Sequence, residues 1–77
     1  MAFKYPNLAA EIARENISYE DVYKAAAIAT GKSVDTVSNW MHGRAGELPT
    51  RAAFAIRDEC FAGQSVDYLF STVPITD

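Results

Sequence analysis

The tripeptide Gly31-Lys32-Ser33 leaves so little chain between two helix signals that it fixes the middle of this sequence as a tight helical corner. Gly31 accepts the left-handed conformation that ends a helix without steric cost. Ser33 is an N-cap, its hydroxyl placed to accept a bond from a first-turn amide and so start the next helix. The upstream helix opens at Ser18, where Glu20 and Asp21 complement the helix dipole and Ile17 and Val22 have the spacing of a hydrophobic staple. It runs through the alanine-rich YKAAAIAT, whose small side chains let another helix come close. The downstream helix is predicted over 34–42 and stops at Gly43.

The rest of the chain reads the same way. Asn7, after Pro6, is the predicted cap of a first helix that places Leu8 and Ile12 on one face and ends near Glu15 and Asn16. Thr50 is the predicted cap of a fourth helix, RAAFAIRDEC, with Ala53, Ile56 and Cys60 on one side. Ser65 caps a short fifth helix from Val66 to Phe70, whose Val66, Leu69 and Phe70 close the core. No segment alternates as a strand, so the expected class is all-α, a compact five-helix domain. With 77 residues there is room for one core only. The expectation is a single domain over 1–77, its core about 6–71, with an irregular tail over 72–77 interrupted by Pro74.

A composition of 49% hydrophobic and 22% charged residues is that of a folding chain rather than a disordered one. A core this small supplies roughly 3–5 kcal/mol to a monomer, which makes association with a second copy a natural expectation. Apolar residues persist in helix five and in Val73-Pro74-Ile75 after the core should be complete, and these are the expected homodimer contact. No stretch is long and apolar enough for a signal peptide or a membrane span, so the expected location is cytoplasmic and no membrane partner is expected. Cys60 is the one cysteine. It excludes an intramolecular disulfide and, next to Phe61, is expected to behave as a small core residue.

Charge is informative by its distribution. The net value is −3, against nucleic-acid binding if averaged over the molecule. Residues 1–30 carry Lys4, Arg14 and Lys24 against Glu11, Glu15, Glu20 and Asp21, and residues 52–77 carry Arg57 against Asp58, Glu59, Asp67 and Asp77. Only the middle, with Lys32, Arg44 and Arg51 against Asp35 and Glu47, is net positive. In that middle helix Val37, Trp40 and Met41 form the inward stripe. Val34, Asp35, Ser38, Asn39 and His42 are left pointing elsewhere.

A helix presenting small polar side chains fits the major groove of double-stranded DNA, because helix and groove match in width. Ser38, Asn39 and His42 meet that requirement, and Asn39 has the donor–acceptor pair that reads adenine, worth ~1–3 kcal/mol of discrimination. Arg44 after the helix and Lys32 before it are placed for phosphates.

The run GKSVDTVSNWMHGR, followed by ELPTRAA and the ending SVDYLF, together with FKYPNLAAEIAREN, resembles the Cro/cI-like (XRE) helix-turn-helix family of DNA-binding domains, and in it the small phage or prophage repressors. The likeness covers roughly residues 3–71. It implies that Val34, Asp35 and Asn39 read bases, that Ser33, Thr36, His42 and Arg44 hold phosphates, and that Val37 and Trp40 are buried. It also implies a sequence-specific transcriptional regulator. The helix between Ser18 and Gly31 is about a turn longer than is usual there, and the phosphate-holding position near its start falls on Tyr19 or Tyr23 depending on the end counted from.

Other chemistry finds little footing. His42 is the single histidine, and no His, Cys or carboxylate set has zinc-site spacing, so no metal and no cofactor are expected. Asp58 and Glu59 are adjacent on a helix and point apart, as on a solvated face. The tyrosines lack the pattern of a base-stacking sheet. No nucleophile elbow, P-loop or dinucleotide fingerprint is present, so no enzyme activity and no small-molecule substrate are expected. The competing reading is a protein-interaction module on the same fold, binding a toxin or antirepressor, to which the net charge and Asp35 lend weight.

Overall fold

The computed structural model describes residues 3–44 and 46–75. Met1, Ala2, Ala45, Thr76 and Asp77 lie outside the described residues, including the ends of the expected domain and tail. Five helices follow in chain order, and no strand occurs among the described residues: α1 Pro6–Glu15, α2 Tyr19–Thr30, α3 Val34–Met41, α4 Thr50–Cys60 and α5 Val66–Leu69. Helix α2 is the centre of the packing, lying against α3 and α4, while α5 joins α1 to α4.

Three of the helix starts form as the sequence predicts. The Ser18 hydroxyl accepts from the Asp21 amide at 3.0 Å, Ser33 from Thr36 at 3.1 Å, and Ser65 from Tyr68 at 3.0 Å. Each satisfies an orphan first-turn donor. Gly31, at φ 70°, ends α2 with its amide on the Ala27 carbonyl. The corner between α2 and α3 is therefore Gly31 to Ser33, as short as expected.

Two caps are corrected. Asn7 is not the N-cap of α1: Tyr5 holds that position without a side-chain bond, and Pro6 is the first helical residue. Proline has no amide hydrogen to satisfy there and its fixed φ suits the first turn. Thr50 is likewise inside α4, whose N-cap is Pro49, again without a side-chain bond. Two helix ends are shorter by one residue than read from sequence, with His42 and Phe70 standing as C-caps of α3 and α5.

The core is built from Tyr5, Leu8, Ile12, Val22, Ala26, Val37, Met41, Ala52, Ile56, Phe61 and Leu69. Ala26 and Ala52, both without exposed surface, lie at the crossing that brings α2 onto α4. Cys60 is shallower than expected, half-buried at the rim, while its neighbour Phe61 takes the core position. Trp40, Val66 and Phe70 are also half-buried rather than central.

Asn7 turns inward and ties down the C-terminal segment. Its amide nitrogen donates to the carbonyls of Tyr68 and Val73, both at 3.1 Å, and its carbonyl oxygen accepts from the Ile75 amide at 2.9 Å. The segment after α5 is thus irregular yet pinned at Val73 and Ile75. At the other end, the Lys4 amide donates to the Met41 carbonyl at 2.8 Å and holds the chain start against the last turn of α3.

Candidate nucleic-acid interface

Helix α3 is positioned from its inner face. Val37 and Met41 are fully buried and Trp40 packs at the edge of the core, fixing the rotation of the helix about its axis. With that rotation set, Asp35 is exposed and Val34, Thr36, Ser38 and Asn39 are half-exposed. The expected reading positions therefore share the outer half of the helix.

At the N-terminal end, Ser33 is occupied as the cap, and its hydroxyl also lies 3.0 Å from that of Thr36. These two residues finish the first turn of α3 with exposed or half-exposed hydroxyls. Lys32, exposed, directly precedes the Ser33 cap. It borders a hollow with Thr30, Trp40, Pro49 and Arg51, on the side of the molecule where α4 begins.

The C-terminal end carries more of the constellation. The Arg44 amide donates to the Asn39 carbonyl at 2.8 Å, and Gly43, at φ 69°, lets the chain turn back to make that bond. The Arg44 Nε–H then donates to Asn39 Oδ1 at 3.1 Å. One lone pair of the Asn39 carbonyl oxygen and both hydrogens of its amide nitrogen stay available, which are the groups an adenine edge needs. Arg44 is consequently both a cation and the residue that orients Asn39.

Two contributions could not be read from linear spacing. The Lys4 side chain passes beside Gly43, where a Cβ would lie 3.9 Å from its Cδ, and its ammonium stands 5.7 Å from the centre of the Tyr5 ring. Phe3, Tyr19, Tyr23 and His42 line a hollow of about 230 Å³ beside α3. Phe3 stands edge-on to Tyr19 at 5.3 Å and to His42 at 5.7 Å, and Tyr19 lies 6.3 Å from Tyr23. The i, i+4 spacing of Tyr19 and Tyr23 on α2 was the only linear hint of this group. His42 is half-buried beneath Phe3, and its Nδ1 is enclosed without a partner.

Tyr23 links the two helices chemically. Burial pushes its phenol above the ordinary value and Tyr19 adds to the effect, while a hydrogen bond from Ser38 and the charge of Arg44 oppose it. The phenol stays protonated at neutral pH and borders the polar face of α3. Tyr19 is the more exposed of the pair. Both tyrosines counted for the start of α2 thus face the same side as Ser38 and Arg44.

The face combines Asn39, Arg44, Lys4, Ser38 and the tyrosines at one end with Asp35 and the Ser33–Thr36 pair at the other. Among the described residues no three His, Cys, Asp or Glu side chains gather as a metal-ligating group, and no helix is long and apolar enough to cross a membrane. No family model, curated protein or solved structure matches the chain.

Proposed function

We propose that the chain is a sequence-specific double-stranded DNA-binding transcriptional regulator of Cro/cI-like helix-turn-helix type, acting as a phage-like repressor that inserts α3 into the major groove. The observation that carries this reading is the Arg44–Asn39 bond, which holds a base-reading amide outward on a short helix whose opposite face is locked in the core. Asn39 pairs with an adenine, Ser38 and Val34 meet neighbouring base edges, and Asp35 accepts from a cytosine amine. Arg44 and Lys4 at one end, with the Ser33, Thr36 and His42 side chains, meet the backbone. Lys32 meets phosphate just before the start of α3. Two such helices in a homodimer enter successive grooves ~34 Å apart on a palindromic site.

Selection of bound duplexes from a random pool, followed by titration at several salt concentrations, tests this. The expected outcome is one enriched palindrome whose preference is lost on Asn39→Ala. Enrichment of nothing at low salt overturns the reading and leaves the protein-interaction module in its place.

A further inference from the structure

Among the described residues the most exposed large apolar side chain lies away from α3. Ile28 of α2 is 84% exposed, against 65% for Val73 and 47% for Ile75. It stands at the edge of a groove of about 450 Å³ between α2 and α4, beside Ala25, Ala29 and Ala55. The alanines make this surface flat, and Ile28 projects from it.

Charge is ordered along the same two helices. Asp21 and Glu59 line the groove itself, and Lys32 and Arg51 line a second, separate hollow toward the other end of the two helices. The order arises because α2 and α4 run antiparallel: the start of α2 at Asp21 lies beside Glu59 and Cys60 of α4, and its end at Thr30, followed by Gly31 and Lys32, lies beside Pro49 and Arg51. Steps of three, four or seven residues keep Asp21, Ala25 and Ile28 on one stripe of α2 and Arg51, Ala55 and Glu59 on one stripe of α4, while Lys32 stands beyond the end of α2, after Gly31. Among the described residues none of these four charges is in an ion pair, whereas Lys24, which also lines the groove, is paired with Glu20 at 3.4 Å. An apolar centre with acids at one end and bases at the other is complementary to itself under a two-fold rotation.

We propose that a second copy of this chain docks on the α2–α4 face, with Ile28 of each copy set against the alanines of the other and Asp21 and Glu59 of each facing Lys32 and Arg51 of the other. The dyad passes between Ala25 and Ile28. This contact is distinct from the one expected at the fifth helix and the 73–75 segment, where Asn7 holds the backbone of Val73 and Ile75. The pairing stands independently of the DNA-binding reading, and its test contains no DNA.

Sedimentation equilibrium from micromolar to millimolar protein reads the association directly. The wild type is expected to dimerise reversibly, more weakly as salt screens the four charge pairs. Ile28→Asp is expected to weaken the dimer about a hundredfold or more, because each dimer loses two copies of the side chain. Its exposure makes this change harmless to the fold, which circular dichroism checks. Arg51→Glu and Glu59→Arg are each expected to weaken association, and the two together to restore it, since the reversed charges meet across the dyad. A monomer throughout the range, a dimer indifferent to Ile28→Asp, or a double variant no better than the single ones overturns the proposal. Loss of association on Val73→Asp alone assigns the contact to the C-terminal segment and overturns it equally.

Discussion

Asn7 illustrates how one side chain decides what the chain end does. Its amide makes bonds to Tyr68, Val73 and Ile75, all near or inside the protein surface where water replaces them poorly. Asn7→Ala is expected to cost about 1–3 kcal/mol in urea unfolding and to remove the exchange protection of the Ile75 amide while leaving α1 intact. A helix cap in that position would instead fray α1 and leave Ile75 unchanged. Glu11 is the second such residue. It is only 1% exposed, yet it is met by the Tyr68 hydroxyl at 2.9 Å, Arg14 at 3.2 Å and Gln64 at 3.4 Å. Tyr68→Phe removes the shortest of these contacts and is expected to destabilise by about 1–3 kcal/mol, read as a lower unfolding midpoint with unchanged slope. Neither role is visible in the sequence, because every partner other than Arg14 lies more than fifty positions away. An isolated Asn after Pro and an isolated Glu on an amphipathic helix look like a cap and a surface charge.

Helix boundaries depend on neighbours along the chain, and there the sequence was far more legible. Ser18, Ser33 and Ser65 cap as expected, since the hydroxyl and the amide it accepts from are three residues apart. Ser33→Ala is expected to cost about 1 kcal/mol and to loosen the first turn of α3, seen as faster amide exchange at Asp35 and Thr36. The outward face of α3 followed from the spacing of Val37, Trp40 and Met41. What spacing could not supply was the end of that face. The Arg44–Asn39 bond depends on the turn at Gly43, and Lys4 and Phe3 arrive from the chain start. On the proposed DNA-binding reading Arg44 has two separable duties. Arg44→Lys keeps the charge and removes the Nε–H that orients Asn39, so it is expected to preserve the salt dependence of DNA binding while relaxing preference at the Asn39 base pair. Arg44→Ala is expected to lose both.

At the scale of the molecule, five short helices enclose one core that takes in Tyr5, with Tyr23 and Cys60 at its rim. Burial raises the pKa of Tyr5, with Glu47 adding to it, and that of Tyr23, as described above. A raised folded-state value means that the neutral phenol is the form the fold favours. The stability linked to it is present below the ordinary value of 10.0 and is lost as pH rises through it toward the folded-state values. Thermal midpoints are therefore expected to hold level to about pH 9 and to decline above pH 10, with Tyr23→Phe reducing the decline. Cys60 follows the same logic: burial first, then Glu59 and Asp21, keeps its thiol protonated. The overall architecture, five helices around one core, could be read from caps and periodicity because each helix is defined locally. The self-complementary α2–α4 face could not, since it exists only once two antiparallel helices lie side by side.

The central claim is that the outward face of α3 receives DNA. Adding a mixed-sequence duplex at low salt to isotope-labelled protein, and following the backbone amides by nuclear magnetic resonance, tests it most directly. The account predicts that the perturbed amides cluster at Ser33 to Asn39, Gly43, Arg44 and Lys4, and that the shifts fade as salt is raised. Shifts confined to the α2–α4 groove or the 71–75 segment, or no shifts at all, contradict it.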